Sequence, residues 1–297
     1  MRLLINELFP VANAAGWCKT IDEVRNLSRS ATEVIVVGSI TVPERSGNPG
    51  NTFAIPLNSL GLPNMGIEKL KKIGPEMVRI AHEARKKAIM NIAGFDPKEY
   101  RQLARAAQEM GFDGIEINLG CPNVADGGKR KPIASLDLRL TEEIVGLSSS
   151  AVKVHDPDFF VSVKMSPMSN PLQIIDTAEL LAHCNIDAIV TQNTFPNALL
   201  FNEDGSPTIQ TPDKTGWAGF AGSAIKPMAL GQVNQWRMAL NSFGATGIEV
   251  WGVGGVETGK DVRDMIWAGA SVVQVGTAYF MYGPKIFSDI GEQYLSL

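Results

Sequence analysis

The chain is poor in cysteine and histidine, the residues that build metal centres and disulfide frameworks. Its 297 residues include three cysteines, at positions 18, 121 and 184, and three histidines. Neither set shows the spacing of a metal-binding motif. An odd, sparse set of cysteines is typical of free thiols in a reducing compartment. We therefore expect no metal centre and a cytoplasmic protein.

The chain also lacks an excess of basic charge and any long apolar run. Its formal net charge of -4 offers no basic surface to nucleic acid or to an anionic membrane. No apolar run reaches the roughly 18 residues of a transmembrane helix. Residues 1–10 lack the charged start, apolar centre and small-residue cleavage site of a secretory signal. We expect neither a nucleic-acid partner nor attachment to a membrane.

Apolar, β-branched runs alternate with helical patterns along the whole chain. Eight of these runs are predicted to be buried strands of a parallel sheet. They cover residues 11–16, 33–39, 88–94, 115–119, 159–165, 186–194, 248–255 and 271–277. Eight strand–helix units close an α/β TIM (β/α)8 barrel, so we predict one barrel domain over residues 1–297. A strand-containing insertion is expected after strand two (residues 42–58) and a lid loop after strand four (residues 124–135).

Cys121 lies just past the end of the fourth predicted strand, between Asn118 and Asn123. Apolar and polar residues alternate up to this point, and Pro122 ends the strand because it cannot donate to a ladder. A cysteine in such a place is most often a small buried hydrophobe. Amides on both sides, however, can bind the donor and acceptor edges of a planar ligand. These neighbours favour a functional role.

Glycine pairs and one lysine mark the ends of other predicted strands. Gly254–Gly255 and Gly276–Thr277 follow strands seven and eight, where barrel enzymes use backbone amides to hold a phosphate. Tight turns without a ligand are the alternative. Lys164 lies inside a predicted buried strand, where an ammonium without a partner is unfavourable. We interpret it as a cation for a negatively charged ligand, with a snorkelling lysine as the alternative.

Together, five motifs resemble the dihydroorotate dehydrogenase family. They are residues 58–64, residues 118–123, Lys164, residues 193–194 and residues 254–259. The likeness extends from about residue 13 to residue 278. It implies a barrel that binds flavin mononucleotide (FMN) and oxidises dihydroorotate to orotate in pyrimidine biosynthesis, with Cys121 as the base and the hydride passed to FMN.

The resemblance also implies two sets of ligand-binding residues. The cofactor would contact Ala15, Gly16, Ser39, Asn118, Lys164, Gly222, Ser223, Gly254, Gly255, Gly276 and Thr277. The substrate would contact Lys19, Asn58, Leu60, Gly61, Leu62, Asn118, Asn123, Asn193 and Thr194.

The reaction that the resemblance implies needs a base. A proton must leave the carbon next to a carbonyl while a hydride leaves the neighbouring carbon. No histidine lies at a predicted strand end, and no carboxylate lies in the central loop before Asp126. Cys121 is therefore predicted to be the general base. Since a free thiol has a pKa of about 8.5, the rate should rise with pH until the thiolate dominates.

The resemblance also implies to which class of the family the chain is similar. Cys121 stands where the membrane-associated, quinone-reducing class has a serine, and the predicted barrel begins within about the first ten residues, without a helical extension. Both features resemble the soluble class 1. Members of that class reduce fumarate or, through an iron–sulfur and FAD partner subunit, NAD. Either acceptor is expected here, and we expect a homodimer.

Two positions depart from the class 1 pattern. Class 1 members usually carry a lysine at the end of strand two, where this chain has Gly38. Lys19 matches the position at which the membrane class keeps its lysine. We predict that Lys19 supplies the same charge from the neighbouring strand. The usual arginine is also absent around residues 51–52.

Two other functions stay open on the sequence. One is a related FMN oxidoreductase that acts on another dihydropyrimidine or an enone, similar to dihydropyrimidine dehydrogenase. The other is a barrel that binds phosphorylated ligands without redox chemistry. A flavin spectrum would exclude the second function. Bleaching of that flavin by dihydroorotate, but not by dihydrouracil, would exclude the first.

Overall fold

The computed structural model describes residues 9–122, 124–126 and 129–297. Its strands are, in chain order, β1 (Val11–Asn13), β2 (Val34–Ile40), β3 (Phe53–Ala54), β4 (Leu57–Asn58), β5 (Lys87–Ile92), β6 (Gly114–Asn118), β7 (Ala125–Asp126), β8 (Lys129–Arg130), β9 (Phe160–Lys164), β10 (Ala188–Val190), β11 (Phe195–Ala198), β12 (Ala218–Phe220), β13 (Glu249–Val253) and β14 (Val272–Val275). Its α-helices are α1 (Ile21–Ser28), α2 (Ile67–Glu83), α3 (Pro97–Glu109), α4 (Leu138–Lys153), α5 (Pro171–Ala182), α6 (Lys226–Ser242), α7 (Gly259–Ala268), α8 (Thr277–Tyr282) and α9 (Lys285–Leu295).

Eight strands close into a barrel, in the order β1-β14-β13-β10-β9-β6-β5-β2. All of the pairings in the barrel are parallel. Helices connect the strands around the outside, so the predicted TIM barrel is confirmed. In such a barrel, the carboxyl ends of all eight strands meet at one face.

Local capping fixes where two of the helices begin. The Thr20 side chain accepts a hydrogen bond from the Glu23 backbone, and the Glu23 carboxylate accepts one from the Thr20 backbone, which forms a capping box. Asp96 caps α3 in a similar way, with Pro97 at the first helical position. These caps set the exits of the chain from strands β1 and β5.

The amino-terminal half of the barrel interior is filled by apolar side chains. Ala12, Val36, Ile89, Val190 and Val272 belong to this inner cluster, and all are fully buried. Phe160 and Trp251 stack within it at a centroid separation of 5.4 Å. The packed interior closes this end of the barrel, which leaves the carboxyl-terminal face for a ligand.

Pro75 lies inside the continuous helix α2. The φ angle that the proline ring fixes is compatible with a helix. Buried side chains before and after Pro75, including Leu70 and Met77, pack α2 against the rest of the protein as one helix. Strand six was predicted over residues 186–194, but β10 ends at Val190. Gln192, Asn193 and Thr194, which follow after Thr191, line a cavity.

The predicted insertion after strand two does contain strands, but they belong to a larger sheet. β3 and β4 form a hairpin, and β12 pairs with β4 from far along the chain. β11 completes the sheet in the order β11-β12-β4-β3. This small sheet stands over one side of the barrel mouth.

The predicted lid loop contains a two-stranded antiparallel hairpin, β7–β8. The Lys131 amide donates to the Val124 carbonyl at 2.8 Å, and Val124 is buried. Movement of this segment stays a prediction. Within the described residues, no helix is long and apolar enough to cross a membrane, and no group of three or more His, Cys, Asp or Glu could hold a metal ion.

Candidate active site

A cavity at the carboxyl ends of the barrel strands collects almost all of the predicted site residues. The residues that line it include Ala15, Gly16, Lys19, Ser39, Asn58, Leu60, Gly61, Leu62, Asn118, Cys121, Lys164, Asn193, Thr194, Gly222, Gly254, Gly255, Gly276 and Thr277. Ser223 is exposed and does not line the cavity, because it begins a short 3-10 helix beyond Gly222. Asn123 lies outside the described residues.

A chain of side-chain hydrogen bonds crosses the cavity floor. Asn193 Nδ2 donates to Asn118 Oδ1 at 3.2 Å, and Asn118 Nδ2 donates to Ser39 Oγ at 3.1 Å. The Tyr100 hydroxyl holds the same segment by donating to the Asn118 carbonyl at 3.0 Å. The amides of two predicted substrate contacts are therefore fixed relative to each other before any ligand arrives.

Cys121 is partly buried at the cavity wall, and two lysines interact with it electrostatically. Burial lowers the pKa of Lys19, while negative charge at Glu23 and at Cys121 acts in the opposite direction. Burial likewise lowers the pKa of Lys131, and negative charge at Cys121 is the main opposing influence. Because such coupling is mutual, ammonium groups at Lys19 and Lys131 favour the thiolate form of Cys121.

Lys131 was not selected by the sequence analysis as a site residue. Its ammonium donates to the Gly94 carbonyl and to the Tyr100 hydroxyl. It also lies over the rings of Phe95 and Tyr100, 5.3 Å from each centroid. These contacts hold a cation within the predicted lid segment. A lysine in a basic loop gives no sequence signal that it will fold back against a cysteine.

Lys19 reaches the cavity from the turn after β1. The Gly38 amide donates to the Cys18 carbonyl at 2.8 Å, which joins this turn to the end of β2. Lys19 Nζ then donates to the Pro63 carbonyl at 2.7 Å. A side chain at Gly38 has no room, because its Cβ would lie 2.5 Å from the Asn91 carbonyl oxygen. Lys19 is thus the cation beside the position where a lysine of β2 would stand.

The ammonium of Lys164 is neutralised inside the barrel. Lys164 Nζ lies 3.7 Å from the carboxylate of Glu116 and donates to Gln274 Oε1 at 2.9 Å. Gln274 and Asn91 both donate to the Glu116 carboxylate, at 2.5 and 2.6 Å. Glu116 is fully buried. Glu116 was not predicted to be a site residue, although its spacing from Asn118 by two residues places both on the inner face of β6.

Three glycines with positive φ form a cradle at one end of the cavity. Gly222, Gly254 and Gly255 have φ values of 90°, 125° and 74°, which side chains other than that of glycine rarely adopt. At Gly255, a Cβ would lie 2.7 Å from Lys226 Cβ. Lys226 itself pairs with Asp261. All three glycines line the cavity, so a ligand there can approach their backbone closely.

Fold and cavity together define a (β/α)8 barrel with a candidate active site at the carboxyl ends of its strands. The sequence profile described as "Dihydroorotate dehydrogenase" matches residues 5–297. The chain belongs to the dihydroorotate dehydrogenase family, and it is an oxidoreductase. The resemblance seen in the sequence motifs is confirmed at this level.

Individual relatives match over most of their length. Identity is 31% over 288 residues, 95% of this chain and 88% of the relative, to dihydroorotate dehydrogenase A (fumarate) of Lactococcus lactis subsp. cremoris. Identity to dihydroorotate dehydrogenase (fumarate) of Kluyveromyces lactis is 32% over 295 residues, which cover 97% of this chain and 89% of that relative. Identity to the catalytic subunit of dihydroorotate dehydrogenase B (NAD(+)) of Thermoplasma volcanium is 33% over 278 residues, which cover 91% of this chain and 82% of that relative.

A solved structure agrees with the fold. Ligand-free DHODH from Eimeria tenella superposes with a TM-score of 0.78 and 22% sequence identity, covering 97% of this chain and 83% of that chain. At this level of identity, the comparison supports the barrel architecture alone.

Proposed function

We propose that this chain binds FMN and oxidises dihydroorotate to orotate in pyrimidine biosynthesis, with Cys121 as the general base. The observation that carries the proposal is the place of Cys121 in the cavity. A thiol coupled to two partly buried lysines lies beside a fixed row of amides, and a glycine cradle lines the same cavity. General-base chemistry on a ring with amide edges needs this combination of groups.

The residues present fit FMN. The bare backbone at Gly254, Gly255 and Gly222 is suited to close contact with a phosphate. Gly16 has a φ of 122°, and a Cβ there would meet nothing within 4 Å, so its backbone faces open space in which a flat ring can lie. We assign the ring to the surface formed by Ala15, Gly16, Ser39, Asn118 and Lys164, and the phosphate to Gly222, Gly254, Gly255, Gly276 and Thr277.

The residues of the chain hold the substrate and move one proton. Asn58, Asn118, Asn193 and Thr194 bind the amide edges of dihydroorotate, with the backbone of residues 60–62. Lys19 binds its carboxylate. Cys121 removes the proton from C5, next to the ring carbonyl, and becomes a neutral thiol. When bound, the flavin supplies the acceptor for the hydride that leaves C6, which is chemistry no side chain provides.

We expect the purified protein to contain one noncovalent FMN per chain. The reason is the glycine cradle, which suits a single phosphate, together with Lys164 at the ring. Heat or acid release followed by chromatography against FMN, FAD and riboflavin standards measures this. A protein that releases FAD, or that carries no flavin, contradicts the proposal. Anaerobic bleaching by dihydroorotate but not by dihydrouracil then identifies the substrate.

Lys19→Ala should raise the apparent KM for dihydroorotate and slow flavin reduction, each by about tenfold. A charge-assisted hydrogen bond in a partly dry site contributes roughly 1.5–3 kcal/mol, and Lys19 is the cation beside the site of the missing lysine of β2. Stopped-flow reduction across a range of dihydroorotate concentrations measures both effects. Lys69→Ala, which removes an exposed lysine paired with Glu44, is the matched control. If the apparent KM and the rate of flavin reduction of Lys19→Ala both stay within twofold of wild type, Lys19 does not supply the positive charge for the substrate.

The electron acceptor of the proposed reaction is fumarate or, through a partner subunit, NAD. Relatives of both types match this chain at 31–33% identity. Mixing the anaerobically reduced protein with fumarate distinguishes the two, because the NAD route needs a second subunit. We also propose a homodimer in the cytoplasm, and light scattering tests its mass.

A further inference from the structure

A row of buried polar side chains crosses the barrel interior behind the cavity wall. Glu116 is fully buried, and its carboxylate accepts hydrogen bonds from Gln274 Nε2 at 2.5 Å and from Asn91 Nδ2 at 2.6 Å. β6 and β14, the strands of Glu116 and Gln274, lie on opposite sides of the closed barrel. The bond between these two residues therefore spans the interior. A carboxylate in this place is shielded from solvent and depends on such partners.

Glu116 is connected to the cavity through Lys164 and Gln274, both of which line it. Lys164 Nζ lies 3.7 Å from Glu116 Oε1 and donates to Gln274 Oε1 at 2.9 Å. Gln274 thus contacts the ammonium with one end of its amide and the carboxylate with the other. These contacts hold the ammonium at the cavity wall, with the carboxylate behind it.

Stability alone does not account for a charged pair in this place. Replacing a buried ion pair by apolar side chains of similar volume is often neutral or stabilising. The inner cluster of the barrel is apolar, with Ile89 and Val190 among its members, so apolar packing fits this interior. The charged pair lies where the interior meets the cavity, which indicates a role toward the ligand.

We propose that Glu116 is a positioning residue that acts on the bound flavin through Lys164 and lowers its reduction potential. The inference rests on the proposed function, since it concerns the FMN assigned to this cavity. A hydride carries two electrons and one proton, so the ring gains one negative charge when it is reduced. The Lys164 ammonium stabilises that charge, and the Glu116 carboxylate behind it opposes the effect. The pair holds a cation in place and limits the positive charge that the ring experiences.

The test measures the midpoint potential of the flavin in Glu116→Gln. This change removes the negative charge at nearly the same size and keeps an oxygen that can accept from Gln274 or Asn91. Reduced flavin should then bind more tightly relative to oxidised flavin. We expect the ratio of the two affinities to rise about tenfold, which raises the midpoint potential of a two-electron couple by about 30 mV. Equilibration of the holoenzyme with reference dyes measures this potential without any substrate.

Three further variants separate charge from structure. Glu116→Met removes the charge without adding an amide and should raise the affinity ratio in the same direction. Glu116→Asp keeps the carboxylate, and its ratio should stay within threefold of wild type. Asp187→Asn is the matched control, because Asp187 is a carboxylate that pairs with buried Lys153 at 2.7 Å and does not line the cavity. Its ratio should stay within twofold of wild type.

Each outcome decides one question. If the wild-type protein carries no FMN, the proposed function itself is wrong. If the wild type holds FMN and the ratio in Glu116→Gln stays within twofold or falls, the role of Glu116 is overturned while the proposed function stands. An equal rise in Glu116→Asp would assign the effect to contact geometry, which also overturns the inference. If Glu116→Gln and Glu116→Met both lose FMN while Asp187→Asn keeps it, Glu116 only maintains the shape of the site, and the inference is again overturned.

Discussion

Replacing Cys121 by serine is expected to slow the reduction of the bound flavin by dihydroorotate by about 10²–10⁴-fold near neutral pH. Serine keeps the size and place of the side chain at the cavity wall, so ligand and FMN should still bind. A hydroxyl is a much weaker acid than a thiol, and almost none of it is ionised where a thiolate forms. The loss should therefore appear in the rate at saturating dihydroorotate, as measured by stopped-flow absorbance.

The pH dependence of flavin reduction gives a second test of Cys121 as the base. A base must be deprotonated to act, so the wild-type rate should rise with pH and then level as the thiolate becomes the main form. Ammonium groups at Lys19 and Lys131 stabilise that thiolate. Lys131→Met should move the rise to higher pH, because a favourable charge is lost. Equal rates of Cys121→Ser and wild type across pH 6 to 10 would exclude Cys121 as the base.

The barrel could be predicted because its signals are local. Eight buried strand patterns, each followed by a helical one, specify the closed sheet, and polar residues at strand ends then meet by topology alone. For this reason residues as distant as Ser39, Asn118 and Asn193 could be placed together from their strand positions. Capping residues such as Thr20 and Asp96 act within one turn of a helix, so the start of a helix can be recognised from the nearby sequence.

Pairings between distant segments left no comparable signal. β12 joins β4 across about 160 residues, and the short strands have no clear alternation of their own. The partner of Lys164 was missed because Glu116 looks like any polar residue in an alternating strand. Gln192 was interpreted as part of a longer strand. Only the closed barrel shows that their side chains point inward, and only the packing around Gly38 shows that no lysine fits there.

Lys164→Met is expected to lower the free energy of unfolding by about 3–5 kcal/mol, because it breaks a buried ion pair and leaves one charge alone. Glu116 is fully buried, 3.7 Å from Lys164 Nζ, and its other contacts are two neutral amides, Gln274 and Asn91. Removing the ammonium leaves the Glu116 carboxylate in the barrel interior without a compensating positive charge. Urea unfolding, with FMN held at one saturating concentration for every variant, measures the loss.

Adding Glu116→Gln to Lys164→Met separates the buried-charge penalty from any contact that Lys164 makes with the cofactor. The second substitution removes the stranded charge but restores no ligand contact. Recovery of more than half of the lost stability in the double variant therefore assigns the loss to the ion pair. A double variant that loses the sum of the two single losses would show that Lys164 and Glu116 are not coupled. The loss in Lys164→Met would then come from the missing contact with the bound cofactor.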